Sequence, residues 1–188
     1  MSDFSPLADV CVLRPRWKLM QKAYDDYATD RKPCKALIDG ETIENQCAVR
    51  MSIALERCGF SLNAFGRLGD NNNHRRVHRS RPSCQVDVPH VLGADELHRY
   101  LDATIGFTDD YDGDTLSSAA DSMRGRMGIV YFNNCFTRRG QTRRVGDHID
   151  LWDGSETYNQ KQGGSTAAEG PDTGLFGNAD RIKFIPLV

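Results

Sequence analysis

Glu44-Asn45-Gln46-Cys47-Ala48-Val49-Arg50-Met51-Ser52-Ile53-Ala54-Leu55 begins with polar residues and continues into a segment with helical apolar spacing. This pattern predicts an amphipathic helix from about residue 46 to 58, with Met51 on the same side as Cys47. Gly59 comes next and suits the end of a helix. Cys47 is therefore expected in the first turn, near the positive end of the helix dipole, where a thiolate is favoured over a thiol.

A second segment, Gly146-Asp147-His148-Ile149-Asp150-Leu151-Trp152, reads as a strand with a histidine near its start. Alternation at period two places His148, Asp150 and Trp152 on one face. A helix-borne cysteine followed by a strand-borne histidine is the layout of papain-like cysteine hydrolases. The pair predicts that the Cys47 thiol is activated by the imidazole of His148.

A third residue should accept a hydrogen bond from the second ring nitrogen of the histidine and so orient it. Asn159 is the preferred candidate, provided that residues 153–156 turn the chain and residues 157–160 pair back against the His148 strand. Asp150 is the alternative, because it lies on the same face of the strand two residues after His148. Both candidates stay open at the level of sequence.

Composition limits the class of protein. The chain has 188 residues, 39% of them hydrophobic, and a formal net charge of -2. This length suits a single domain spanning residues 1–188. No apolar run could cross a membrane and the N-terminus does not read as a signal peptide, so we expect neither membrane insertion nor general secretion. The near-neutral charge gives no general attraction to nucleic acid, and the basic run at residues 74–81 reads either as a solvated loop or as a patch for an anionic polymer.

The remaining elements follow from periodicity and turn residues. Helices are predicted at about 14–28 and within 91–101, and buried strands at 128–132 and 149–152. Residues 60–86, 109–114 and 163–177 are expected to be loops, the acidic stretch 109–114 lacking the ligand spacing of a calcium loop. The six cysteines show no zinc or redox spacing. Cys58 is expected in the core, and two alternatives stay open for Cys11, Cys34, Cys84 and Cys135: buried thiols, or disulfides in an oxidising compartment. Helices first and strands later predict an α+β fold, with N-terminal helices packed on an antiparallel sheet.

The segments Asn45–Ser52 and Gly146–Gly154 together resemble the fourth family of type VI secretion amidase effectors. Membership would imply a papain-like fold related to NlpC-type peptidases, and cleavage of the amide between D-glutamate and meso-diaminopimelate in peptidoglycan. The resemblance makes Cys47 the nucleophile, with its backbone N–H in the oxyanion hole, and His148 the general base. The family usually has an aspartate where this chain has Asn159, so the third role departs from the family pattern.

The same resemblance implies the partners and the route. These are the peptidoglycan substrate, a cognate immunity protein and a type VI secretion tube protein, with transfer from the producer's cytoplasm to the periplasm of a target cell. No cofactor is expected. Two alternatives remain: a cysteine peptidase or deamidase that acts on a protein, and a non-enzymatic binding module whose thiol is merely buried.

Overall fold

The computed structural model describes residues 15–26, 32–35, 37–38, 41–43, 45–62, 65, 77–78, 86, 88–138, 140–161 and 174–188. The helices of these residues are α1 (Trp17–Asp25), α2 (Cys47–Arg57), α3 (Ala94–Thr104), a 3₁₀ helix (Gly113–Ser118), α4 (Ala119–Met123), α5 (Tyr158–Lys161) and α6 (Gly174–Asn178). The strands are β1 (Leu37–Ile38), β2 (Glu41–Thr42), β3 (Val77–His78), β4 (His90–Val91), β5 (Asp109–Asp112), β6 (Gly128–Thr137), β7 (Arg144–Trp152) and β8 (Arg181–Pro186).

The main sheet is antiparallel and has four strands in the order β5-β8-β6-β7. Two further two-stranded antiparallel sheets, β1-β2 and β3-β4, are separate from it. Helices α1 and α2 pack together, and α2 packs on β7, which is one edge of the main sheet. The predicted α+β fold, with N-terminal helices on an antiparallel sheet, is confirmed.

Helix α2 is the central element because residues Ala48 to Leu55 are all buried. The hydroxyl of the buried Ser52 donates a hydrogen bond to Val49 O at 3.0 Å and accepts one from the Val91 N–H at 2.8 Å. The second bond connects β4 to the helix. The helix ends at Arg57, and Gly59 follows its end as predicted, with a positive φ of 81°. The Gly59 N–H then bonds Glu56 O and the Phe60 N–H bonds Leu55 O, closing the last turn.

Close contacts between β6 and β7 hold the strand that carries His148. Gly146 is buried against the ring of Phe136, and an added Cβ would lie 2.3 Å from Phe136 Cε2. The next residue, Asp147, accepts hydrogen bonds from Asn133 Nδ2 at 3.0 Å and from the Asn134 N–H at 2.9 Å. Asn134 has a φ of 50° and lies where the β6–β7 register shifts. A glycine and a carboxylate therefore set the position of His148 along the edge.

Two predicted loops are wrong in part. The acidic stretch 109–114 contains β5, which pairs with β8, because Arg126 and Arg181 neutralise Asp109 and Asp110 along this edge. The end of the glycine-rich stretch 163–177 begins helix α6, in which Leu175 packs into the core behind the sheet. Most of residues 60–86, most of the basic run 74–81 and the rest of 163–177 lie outside the described residues.

Candidate active site

Cys47 is the first residue of α2, as the sequence predicted, and its side chain is partly exposed. Its sulfur thus lies at the end of the helix where backbone N–H groups are unpaired and the dipole is positive. Its own backbone N–H donates to Asn45 Oδ1 at 3.2 Å. This is the N–H that is expected from the sequence in an oxyanion hole, and in the structure its acceptor is the Asn45 side chain.

Gln46 anchors the start of the helix that carries Cys47. Its side chain is buried and makes two hydrogen bonds with the backbone of Cys34: Oε1 accepts the Cys34 N–H at 2.9 Å, and Nε2 donates to Cys34 O at 2.7 Å. Nε2 also donates to Ile43 O at 3.1 Å. Because the amide oxygen and both amide N–H groups of Gln46 are in hydrogen bonds, Gln46 positions Cys47 and has no N–H left to donate to a substrate.

His148 lies on β7 opposite Phe132, and only 3% of the residue is exposed. Both ring nitrogens are buried, and neither makes a hydrogen bond within the described part of the chain. Nε2 lies 3.6 Å from Asp150 Oδ2, which is ion-pair range but longer than a hydrogen bond. The ring is therefore enclosed by the fold and has its polar atoms available.

The charge on His148 follows from its neighbours. Burial lowers the pKa of the imidazole, but the Cys47 sulfur and the Asp150 carboxylate outweigh this and raise the pKa to about 10. Cys47 is the stronger of the two raising influences. The structure thus brings the helix-borne sulfur and the strand-borne imidazole into electrostatic contact, and this contact favours the protonated form of His148.

Asp150 is held by backbone donors at both oxygens. Oδ1 accepts the Leu151 N–H at 2.9 Å and Oδ2 accepts the Asn159 N–H at 2.8 Å. Oδ2 is also the oxygen that faces His148. The geometry therefore links His148 to Asp150, and Asp150 to the backbone of Asn159.

The predicted setting of Asn159 is wrong in its secondary structure. Residues 153–156 do turn the chain, because Asp153 Oδ1 accepts the N–H groups of Ser155 and Glu156. Only one bridge, between Trp152 and Thr157, then pairs back on β7. The chain enters helix α5 instead, since Gln160 Oε1 accepts both the N–H and the hydroxyl of Thr157. Asn159 is buried on this helix.

Tyr24 and Arg50 are buried near the same groups, since the charges of Asp150, Arg50 and Cys47 all act on the Tyr24 hydroxyl. The sequence alone assigns neither residue a role. The Tyr24 hydroxyl is buried without a hydrogen-bond partner among the described residues, and the Arg50 guanidinium carbon lies 4.8 Å from the centre of the Tyr24 ring. Burial first, and then the charge of Asp150, raise the pKa of Tyr24. The available signal was Arg50 itself, an arginine one turn after Cys47 within the stretch from Ala48 to Leu55 that is otherwise apolar except for Ser52.

Other candidate sites receive no support in the described residues. Cys47, Cys58 and Cys135 form no disulfide bond, while Cys11 and Cys84 lie outside the described residues. No group of three or more histidine, cysteine or acidic side chains there could hold a metal ion. Every described helix is too short or too polar to span a bilayer.

The fold and the arrangement of helix, edge strand and buried imidazole define the papain-like class of α+β proteins. A family model described as "Type VI secretion system (T6SS), amidase effector protein 4" (Tae4) matches residues 43–183. The chain belongs to this family of amidase effectors, which act in target cells. A search of curated protein sequences found no match.

Solved structures give the same fold at low sequence identity. The Tae4–Tai4 effector–immunity complex from Enterobacter cloacae matches with a TM-score of 0.62 and 16% identity, covering 94% of this chain and 100% of that one. The Tae4/Tai4 effector–immunity system from Salmonella typhimurium matches with a TM-score of 0.60 and 18% identity, covering 93% and 99%. The Tae4 effector from Enterobacter cloacae without its partner matches with a TM-score of 0.59 and 16% identity, covering 94% and 98%.

Proposed function

We propose that this protein is a cysteine-dependent peptidoglycan amidase that hydrolyses the amide between D-glutamate and meso-diaminopimelate in stem peptides, and that it acts as an antibacterial toxin. The observation that carries the proposal is the buried His148 imidazole, whose pKa is raised by the Cys47 sulfur at the start of α2 and by Asp150. Family membership supplies the amidase class and the delivery route.

In the proposed reaction the Cys47 thiolate attacks the carbonyl carbon of the D-glutamyl amide and forms a tetrahedral adduct. The negative oxygen replaces Asn45 Oδ1 as acceptor of the Cys47 backbone N–H. His148 donates its proton to the departing amine of diaminopimelate, and an acyl-thioester remains on Cys47. Neutral His148 then takes a proton from water, whose oxygen attacks the thioester and releases the acid and the thiolate.

Asp150 has the orienting role in this mechanism, and Asn159 supports it through the backbone. A raised pKa suits His148 to act as an acid toward the leaving amine, and the Asp150 carboxylate contributes to that rise. The N–H of Asn159 fixes the oxygen that faces the imidazole. This assignment replaces the preference for Asn159 as third residue with a proposal for Asp150.

Delivery and control follow the related effectors. The relatives from Enterobacter cloacae and Salmonella typhimurium were solved as effector–immunity pairs. By analogy, the toxin would be carried by the secretion tube protein into the periplasm of a neighbouring cell, where peptidoglycan lies. The producing cell would make a cognate immunity protein that covers the Cys47–His148 cleft.

The deciding experiment is the product spectrum from purified sacculi. The wild-type protein should release muropeptides with a new free amine on diaminopimelate and a new carboxyl on D-glutamate, identified by mass spectrometry. Cys47→Ala should lower the rate by at least about 10³-fold. Casein serves as the control substrate: cleavage of casein but not of sacculi would replace the proposal with a protein peptidase, and unchanged activity in Cys47→Ala would refute cysteine dependence.

A further inference from the structure

The turn between β6 and β7 concentrates positive charge on a chain that is slightly acidic overall. Residues 137–145 include Arg138, Arg139, Arg143 and Arg144 and no acidic residue, whereas the formal net charge of the chain is -2. Arg138, Arg143 and Arg144 are exposed, and Arg139 lies outside the described residues. We call Arg138, Arg143 and Arg144 the arginine hairpin.

The pairing of these arginines is unusual for this protein. Four exposed arginines elsewhere have a carboxylate within ion-pair range: Arg57 with Asp26, Arg99 with Asp95, Arg124 with Asp121 and Arg181 with Asp110. Arg16 is exposed and has no such partner among the described residues, but it is a single cation rather than one of a cluster. Within the described residues, Arg138 and Arg143 have no such partner, and Arg144 has only a 3.8 Å contact with Asp180. Neither the Arg138 nor the Arg143 guanidinium is therefore held in an ion pair within the described residues, although the charge of Arg138 acts on Asp147 from a greater distance. Both can bind an external anion.

The position of the hairpin connects it to the proposed active site. Arg144 is the first residue of β7 and His148 is the fifth, so a rise of about 3.3 Å per residue separates them by about 13 Å along the strand. The strand between them is rigidly placed by the packing of Gly146 on Phe136 and by the hydrogen bonds of Asp147. Arg144 Nη1 also donates to Asn178 Oδ1 at 3.0 Å, which ties the hairpin to α6.

We infer that the arginine hairpin binds free carboxylates of the peptidoglycan stem peptides, at a point about 13 Å along β7 from His148. This inference rests on the proposed function and extends it to a substrate-binding surface. A stem peptide in extended form covers about 3.3–3.6 Å per residue, so about four residues reach from His148 to Arg144. A stem cleaved after D-glutamate carries carboxylates on both sides of the amide, and guanidinium groups match carboxylates in geometry and charge.

The double variant Arg138→Gln/Arg143→Gln tests the inference. Arg124→Gln is the matched control, because Arg124 is an exposed arginine that follows α4 and is paired with Asp121. On native soluble muropeptides the double variant should raise KM about 3- to 20-fold with kcat little changed, as expected for two exposed charge pairs. On muropeptides whose free carboxylates have been converted to amides, variant and wild type should have the same KM. The KM difference on native substrate should also shrink with added salt.

A binding measurement covers the case in which amidated substrate is not cleaved. In the Cys47→Ala background, co-sedimentation with sacculi should weaken by a similar factor in the double variant, and carbodiimide amidation of the sacculi should remove that difference. An unchanged KM on native substrate that the wild type cleaves would overturn the inference and leave the proposed function intact. The inference would also be overturned if the double variant lost affinity equally for native and amidated substrates. The same holds if the double variant differed from the wild type only in its inhibition by an immunity protein. If the wild type cleaves no muropeptide, the proposed function itself fails.

Discussion

His148 Nε2 lies 3.6 Å from Asp150 Oδ2, and the two residues are separated on β7 only by Ile149. The pair shares a face because side chains of a strand alternate. Ile149 points instead into the core that contains Met51 and Leu55 of α2. Three consecutive residues of β7 therefore supply both an imidazole with its carboxylate and an apolar side chain that packs against the helix carrying Cys47.

Asp150→Asn should lower kcat/KM about 10²- to 10⁴-fold, since the carboxylate that stabilises the imidazolium is lost while the shape is kept. Asn159→Ala should cost less than about tenfold, because the alanine retains the backbone N–H that bonds Asp150. Kinetics on muropeptides, with circular dichroism to check the fold, measure both. The opposite order of effects would return the third role to the Asn159 side chain.

The pH dependence of Asp150→Asn distinguishes orientation from mere packing. The pKa of His148 is raised to about 10, in part by Asp150, and the proposed acid is the protonated ring. Removing the carboxylate lowers that pKa, so the alkaline limb of the kcat/KM profile should move to lower pH in the variant. Asn159→Ala is the control, and its alkaline limb should stay in place. A parallel loss of activity at every pH would assign Asp150 a purely structural role.

Selective alkylation can identify the activated thiol without a substrate. Iodoacetamide at pH 6 should modify Cys47 at the helix start, whereas Cys58 at the other end of α2 should not react, because burial raises its pKa to about 11. Both are partly exposed, so Cys58 is an internal control for access. Peptide mapping by mass spectrometry gives the site. Equal labelling of the two, or none at Cys47, would support the binding-module alternative.

Gly146→Ala should destabilise the fold by about 1–3 kcal/mol, because its Cβ would lie 2.3 Å from Phe136 Cε2. Urea unfolding measures the change. Phe136→Ala in the same chain removes the obstructing ring, so the cost of Gly146→Ala should become much smaller in that background. Additive effects of the two substitutions would mean that the ring is not the obstacle.

His98 should make the fold sensitive to acid. Its ring stacks on Tyr131 with centroids 4.0 Å apart, and burial, aided by Lys183, lowers its pKa to about 4. The unfolded chain takes up a proton near pH 6.5 while the folded chain resists it, so stability falls as pH drops from 6.5 toward 4. His98→Phe keeps the stacking without titration and should lose less stability between pH 7 and 5, as measured by urea midpoints. An equal loss in both proteins would exclude His98 as the cause.

The candidate site shows where local sequence is sufficient and where it is not. The Cys47 helix, its end just before Gly59 and the His148 strand follow from periodicity and from residues with strong local preferences, and the structure has them all. Gln46 was harder to interpret, because its partners are backbone atoms of Cys34, twelve residues away. The acidic stretch 109–114 looked like a loop, because the cations that permit strand β5 come from distant segments.

By itself the sequence determined the elements of this protein and the order of its reactive groups along them, since helical and strand periodicities depend on neighbouring residues. Only the tertiary structure decided which carboxylate faces His148, because that depends on whether residues 157–160 continue as a strand or turn into α5. It also decided which arginines lack partners, since the acids that pair with Arg57 and Arg181 lie far away in the chain. The distance between two side chains depends on tertiary packing, and packing brings together residues that are far apart in the sequence.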